Sequence, residues 1–213
     1  MKTLEMIENM KNIKIISIDF QKEFSNPIGK HYKKRPCVNF IKKTLVPFLK
    51  ENKIKITEII SDYRQPRPGD LDDCCYPGTQ QYESEIPNEI KIKPIWIKCM
   101  NSPIWIRKNI GEANKKPGLP YQGPKEFTDW LNKVVGKPEE IDLVILIGLT
   151  LDCCVFSTAQ ELTWRGYKIK ILKEGVDTYT GSLKEKEIIL NHYPLINWAE
   201  SISFEELKKL LEK

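Results

Sequence analysis

Three residues whose side chains could together perform nucleophilic catalysis each follow a predicted β-strand. Asp19 directly follows the apolar run 15–18, Lys98 directly follows the run 95–97, and Cys154 lies just past a strand that ends at Ile147. In a parallel sheet, ligands bind in the crevice outside the carboxyl ends of the strands. A base, a cation and a thiol are therefore predicted to meet at one edge of a sheet.

The chemistry that suits this set is attack by a thiolate on a carbonyl. A thiol with an ordinary pKa of about 8.5 is mostly protonated at neutral pH and needs a base, a cation or a helix N-terminus to ionise. Cys154 would have all three. The only two histidines, His31 and His192, do not end strands, which disfavours a Cys-His dyad.

Each of the three residues also has an ordinary structural explanation. A strand-end aspartate such as Asp19 is often a cap or turn residue, a strand-end lysine such as Lys98 is often solvated, and a lone cysteine such as Cys154 is often a small buried hydrophobe. The combination of the three favours the catalytic interpretation.

Short apolar, β-branched runs alternate with helical patterns along the chain, which predicts an α/β fold with a parallel sheet. The predicted strands are Ile13 to Ile18, Ile54 to Ser61, Ile92 to Ile97, Leu143 to Ile147, Lys168 to Leu172 and a short one near Leu195 to Ile196. The predicted helices are Cys37 to Asn52, Pro124 to Val135, Cys154 to Arg165, Leu183 to Asn191 and Phe204 to Leu211. Two long segments, about 63–85 and 99–122, break this alternation and are predicted to be active-site loops.

The length of 213 residues predicts a single domain over residues 1–213. The net charge of +5 comes from lysines mixed with acids rather than from a basic block, which disfavours nucleic-acid binding. Glu5 and Glu8 interrupt Met1 to Met10, so no signal peptide is expected there, and no apolar run is long enough to span a membrane. The six cysteines are expected to be reduced thiols, as in a cytoplasmic protein.

Three segments resemble the isochorismatase-like cysteine hydrolases, a superfamily that includes nicotinamidases, N-carbamoylsarcosine amidohydrolase and ureide hydrolases. Residues 19–24 (Asp-Phe-Gln-Lys-Glu-Phe) resemble the motif D-x-Q-x-x-F, and Lys98 with Ser102-Pro103 resembles K-x-x-x-[DS]-[AP]. Residues 148–155 (Gly-Leu-Thr-Leu-Asp-Cys-Cys-Val), followed by Thr158-Ala159 and Gly166-Tyr167, are similar to G-x-x-T-D-x-C-V-x-x-T-A and its G-Y sequel.

This resemblance implies a three-layer α-β-α fold with a six-stranded parallel sheet and a catalytic triad of Asp19, Lys98 and Cys154. It also implies a cis peptide bond between Leu149 and Thr150, and an oxyanion hole formed by the backbone N–H groups of Thr150 and Cys154. Asp152, in the same turn, is expected to be a structural hydrogen-bonding group.

The same resemblance implies hydrolysis of a small amide, ureide or carbamoyl compound through a thioester on Cys154. Family members are often dimers or tetramers, so a homodimer or homotetramer is expected. Substrate contacts are expected at Gln21, Phe24, Arg64 and Trp105.

The sequence departs from the family in the segment that binds a metal ion in nicotinamidases. Arg64 and Cys74 stand where those enzymes have histidines, and only Asp62 of that ligand set remains. Because arginine does not bind metals, neither a catalytic metal nor any other cofactor is predicted. A zinc site built from Cys74 and Cys75 is a weak alternative, since adjacent cysteines do not match the usual spacing. Leu151 also replaces a usual threonine.

Several other readings stay open at this point. Arg64 and Arg67 either face the pocket and bind a carboxylate or carbonyl of the substrate, or pair with acids of a surface loop. Segment 99–122, with Trp105, either covers the site as a lid or extends to a partner subunit, and for Trp105 itself ordinary packing is an equal alternative. For function, the alternatives are a catalytically silent member that binds a metabolite or a protein, a redox-sensing thiol protein, and a nicotinamidase with an atypical site. A vinyl-ether hydrolase of the isochorismatase kind would not need Cys154.

Overall fold

The computed structural model describes residues 12–212. The expectation about Met1 to Met10 therefore lies outside the described residues. Among residues 12–212, no helix is both long enough and apolar enough to cross a bilayer.

Six strands form one parallel sheet in the order β3-β2-β1-β6-β7-β8. They are β1 (Ile13–Ile18), β2 (Ile56–Ser61), β3 (Trp96–Lys98), β6 (Leu143–Leu149), β7 (Ile169–Asp177) and β8 (Glu200–Ile202). The central strand β6 is buried along its whole length, because helices cover both faces of a parallel sheet. The predicted α/β class and six-stranded parallel sheet are confirmed.

The helices follow the strands in the alternation that the sequence predicts. They are Lys22–Ser25, Pro36–Phe40, Val46–Glu51, Pro124–Val134, Phe156–Trp164, Leu183–Asn191 and Phe204–Leu211. Two π-helical turns, Ile41–Leu45 and Leu151–Val155, run directly into the helices that follow them. The second turn carries Cys154, and π-turns are frequent at functional sites.

The prediction of a short strand near Leu195–Ile196 is wrong. Leu195–Asn197 is a 3-10 turn, and the strand at this edge is Glu200–Ile202, which pairs with β7. Leu195 is apolar because its side chain is buried in the core, not because it lies in a sheet.

Four other strands differ in length from the prediction. β2 begins at Ile56 rather than Ile54 and β6 continues to Leu149 rather than Ile147, while β3 and β7 differ more. β3 is confined to Trp96–Lys98, because Pro94 cannot donate to a ladder. β7 continues to Asp177, through Lys173 and Glu174. These polar residues end the apolar run in the sequence but not the strand.

The two long loops contain local structure. In segment 99–122, β4 (Trp105–Ile106) pairs with β5 (Tyr121–Gln122) as an antiparallel ribbon. In segment 63–85, Tyr63 and Cys74 form an antiparallel bridge. Both segments therefore contain internal backbone pairing.

Candidate active site

The candidate site lies where the order of the sheet reverses. β1 has β2 on one side and β6 on the other, and a crevice forms at such a switch point. Asp19 follows β1 in a left-handed backbone conformation (φ 46°), which aspartate tolerates better than most residues. Cys154 follows β6, so the two side chains approach the crevice from opposite sides.

A glycine permits the close approach of β1 and β6 at this point. Gly148 has φ 116°, and a Cβ atom there would lie 2.0 Å from the backbone oxygen of Ile18. No side chain fits at that distance. The strand ends that carry Asp19 and Cys154 are therefore brought together by the absence of a side chain at Gly148.

Lys98 is the centre of the hydrogen-bonding network. Its Nζ donates to Asp19 Oδ2 at 2.7 Å, to Ser61 Oγ at 2.8 Å and to Tyr63 Oη at 2.6 Å, and lies 3.4 Å from Cys154 Sγ. The side chain is fully buried, and that of Asp19 is 1% exposed. A charged pair this deep in the protein requires such complete hydrogen bonding.

Cys154 has two further polar neighbours that the sequence did not indicate. Tyr63 Oη lies 3.1 Å from its Sγ, and the Sγ donates to Asn101 Oδ1 at 3.6 Å. Because Lys98 donates to Tyr63 Oη, the phenol proton is left for the sulfur or for the Met100 carbonyl oxygen, 3.4 Å away. Tyr63 directly follows Asp62 at the end of β2, so the strand-end rule that selected Asp19 would also have selected this region.

The environment of Cys154 disfavours its thiolate form. Burial raises the pKa of Cys154 well above its ordinary value; the positive charge of Lys98 opposes this, and the negative charge of Asp19 adds to it. Burial lowers the pKa of Lys98, but the charges of Asp19 and Cys154 more than offset this, so its pKa is raised and it stays charged. Burial, together with Cys154 and Asp19, also raises the pKa of Tyr63, which stays a phenol.

The turn before Cys154 is closed by the carbonyl oxygen of Thr150. The Leu149–Thr150 peptide bond is cis. The N–H groups of Cys153 and Val155 both donate to the carbonyl oxygen of Thr150, whereas the N–H of Cys154, between them, does not. Asp152 accepts from the backbone N–H of Tyr179, which is the structural role expected of it.

A cavity of about 230 Å³ opens onto Cys154. This is below the usual range for drug-sized ligands, so it suits a small molecule. Its lining includes Asp19, Phe24, His31, Tyr63, Arg67, Cys74, Asn101, Thr150, Cys153, Cys154 and Tyr179. The proposed nucleophile and base both face this space.

The four residues that are expected to contact the substrate do not all line the cavity. Phe24 lines the cavity. Gln21 does not; its amide donates to the carbonyl oxygens of Ser61 and Tyr82 and accepts from the N–H of Ser61. Trp105 lies in the β4–β5 ribbon, away from the cavity lining. The cavity is thus lined by Phe24 but not by Gln21 or Trp105.

Arg64 also lies away from the cavity, contrary to expectation. It forms a forked ion pair with the buried carboxylate of Asp62, at 2.8 and 2.6 Å. Its other donors bind the carbonyl oxygens of Asn109, Glu112 and Lys115. A guanidinium has five N–H donors, and these contacts use all of them. Arg67, rather than Arg64, lines the cavity.

The metal-ligand set that the resemblance associates with nicotinamidases does not fit this chain. Asp62, its only remaining member, is occupied by Arg64 and by the N–H of Gly111. A different group, Glu23, His31 and Cys74, brings three possible ligand atoms within 4.8 Å of one another.

Solved hydrolase structures share this architecture. An isochorismatase-like hydrolase from Alkaliphilus metalliredigens has a TM-score of 0.64 at 18% sequence identity, over 96% of this chain and 99% of that one. The chain has the isochorismatase-like fold. The nicotinamidase/pyrazinamidase of Bacillus subtilis has the same isochorismatase-like fold (TM-score 0.61, 16% identity, 90% of this chain and 99% of that one). So does the N-carbamoylsarcosine amidase of Thermoplasma acidophilum (0.58, 17%, 91% and 96%).

No protein-family model matches the sequence, and no curated protein matches it significantly. At this level of identity the similarity defines the isochorismatase-like fold alone. What the site does must be argued from its own residues.

Proposed function

We propose that the protein is a cysteine-dependent hydrolase of a small amide, ureide or carbamoyl compound. The observation that carries this proposal is the buried contact network of Asp19, Lys98 and Cys154 at a cavity of small-molecule size. A binding protein would gain nothing from placing a thiol against a buried ion pair, because such a pair costs desolvation energy. Structural neighbours described as an amidase and a nicotinamidase support the same class of reaction.

In the first half of the reaction, Asp19 takes the proton of the Cys154 thiol while the sulfur attacks the substrate carbonyl. A C–S bond forms and the carbonyl oxygen becomes an oxyanion. The N–H groups of Thr150 and Cys154 would donate to it, and loss of one such donor typically costs about a hundredfold or more in rate. Asp19 then returns the proton to the departing nitrogen as the C–N bond breaks.

In the second half, water hydrolyses the thioester. Asp19 accepts a proton from the water as it attacks, and the thiol of Cys154 recovers a proton as the C–S bond breaks. Lys98 stays protonated throughout and stabilises the carboxylate and the thiolate in turn. Tyr63 would donate to the sulfur when it is negatively charged.

The environment of Arg67 favours a substrate that carries a carboxylate. Its guanidinium stacks on the Tyr63 ring at 4.1 Å and lines the cavity, and its buried Nε has no hydrogen-bond partner in the described part of the chain. An acidic ureide or carbamoyl compound would supply that partner.

We also propose a cytoplasmic location, because all six cysteines are free thiols. We propose a homodimer or homotetramer, because members of the family that the sequence resembles are often dimers or tetramers.

The test compares two adjacent cysteines on a panel of amides, ureides and carbamoyl compounds. Cys154→Ala is expected to abolish release of ammonia or amine, whereas Cys153→Ala should retain most of it. Equal loss in both variants would refute Cys154 as the nucleophile. If wild-type protein hydrolyses no member of the panel but binds one of them, a catalytically silent metabolite-binding protein replaces the proposal.

A further inference from the structure

Three side chains of types that can bind metals lie close together beside the cavity, apart from the ion pair that faces Cys154, and two of them, His31 and Cys74, line it. Glu23 comes from the short helix after β1, His31 from the loop that follows it, and Cys74 from the long loop after β2. Glu23 and Cys74 are buried, and His31 is partly buried. We propose that these three residues bind a divalent transition-metal ion of the zinc type.

The spacing of the three ligand atoms suits one ion. All pairs lie within 4.8 Å, so a single point exists within about 2.8 Å of every atom, whereas zinc takes bonds of about 2.0 to 2.3 Å. Closing that gap needs side-chain shifts of less than about 1 Å, which is small for a loop cysteine and a partly exposed histidine.

The charge around Glu23 also favours a cation. Glu23 is 3% exposed, and within residues 12–212 no lysine or arginine forms an ion pair with it; its carboxylate accepts a hydrogen bond from the backbone N–H of His31. A buried carboxylate without a cationic partner is costly, and a bound metal ion would remove that cost.

The ligand types select the metal. A thiolate, an imidazole and one carboxylate form a mixed set that suits Zn²⁺ and the similar ion Co²⁺, while Mg²⁺ and Ca²⁺ prefer oxygen alone. Tyr179 Oη lies 3.3 Å from His31 Nδ1, so one ring nitrogen already has the kind of outer contact that orients a metal-binding histidine.

The site would be open rather than closed. Three protein ligands leave the fourth zinc position for water or a ligand atom, and His31 and Cys74 line the same cavity as Cys154. This ligand set shares only Cys74 with the segment where nicotinamidases hold their metal. The proposal does not depend on amide hydrolysis, and it replaces the expectation that the chain binds no metal.

The test uses Co²⁺ as the probe on full-length protein stripped with a chelator. Titration should give one ion per chain and a sulfur-to-cobalt charge-transfer band, with release of the Cys74 proton to the buffer. Cys74→Ser should lose the band, and His31→Ala and Glu23→Gln should each weaken binding at least tenfold. His192→Ala, which removes the only other histidine, should bind as the wild type does.

Several results would overturn the proposal. These are no stoichiometric binding by the wild type, a band that survives Cys74→Ser, or equal weakening by His31→Ala and His192→Ala. Glu23→Gln keeps an acceptor for the His31 N–H, so weaker metal binding by this variant would not result from loss of that hydrogen bond. Thermal melting of each metal-free variant checks that it is folded. Cys154 is not one of the proposed ligands, so Cys154→Ala should bind cobalt with the same stoichiometry and the same charge-transfer band as the wild type. The cobalt titration therefore tests the metal site independently of the hydrolase assay.

Discussion

Replacing Tyr63 by phenylalanine removes one hydroxyl that joins Lys98 to Cys154. In the wild type this oxygen accepts from Lys98 Nζ at 2.6 Å and lies 3.1 Å from Cys154 Sγ. The phenylalanine ring would keep the packing. The change therefore tests whether the phenol stabilises the thiolate.

The expected size follows from the contact that is lost. A hydrogen bond to a charged group contributes about 1.5 to 3 kcal/mol, and about 1.4 kcal/mol corresponds to one pKa unit. The pKa of Cys154, already raised by burial, should therefore rise by a further one to two units, roughly. Below that pKa, each unit reduces the thiolate fraction tenfold, so alkylation at a fixed pH should be about 10 to 100 times slower.

The assay follows alkylation of Cys154 by iodoacetamide as a function of pH, read by mass spectrometry, in parallel with hydrolysis of the best substrate. Tyr82→Phe is the matched control, because the Tyr82 hydroxyl is buried and has no hydrogen-bond partner among the described residues. A folded Tyr63→Phe protein that is alkylated within twofold of the wild-type rate would refute the proposed role of the phenol.

Three further changes test the rest of the site. Asp19→Asn should lower kcat/KM by about a hundredfold or more, because the amide cannot accept the thiol proton; unchanged hydrolysis would exclude Asp19 as the base. Arg64→Gln leaves the Asp62 carboxylate buried without its cation and should cost about 3 to 5 kcal/mol in urea unfolding, while Arg67→Gln, the control, should cost far less. The pKa of Cys154 is higher in the folded protein than in the unfolded chain. Its contribution to the free energy of unfolding is therefore complete below the pKa of the thiol in the unfolded chain and decreases above about pH 9. Cys154→Ala should flatten that fall in a series of melting curves, and an identical slope would contradict the pKa shift.

The fold and the three central residues could be predicted because they depend on local patterns. Apolar runs and their ends identified the strands, and the rule that ligands bind at the carboxyl ends of parallel strands placed Asp19, Lys98 and Cys154 at one edge. The structure brings these side chains together. Their roles in catalysis stay a proposal.

The surrounding residues could not be assigned because their partners are distant in sequence. Arg64 is a good ligand for a substrate carboxylate by type alone, and only the three-dimensional structure reveals that Asp62 and three loop carbonyls use its donors. Gln21 lies in a motif but binds the backbone. Glu23, His31 and Cys74 are 8 and 43 residues apart along the chain, so nothing in their spacing indicates a common site.

The contacts of Arg64 have a consequence for altering the long loop. Its guanidinium binds the carbonyl oxygens at 109, 112 and 115, not the side chains of those residues. The path of the loop backbone is therefore largely independent of which amino acids occupy positions 112–116, whose side chains are exposed. A library randomised at these five positions should keep its anchor, which makes this part of the loop a place to add new recognition surfaces without disturbing the residues around Cys154.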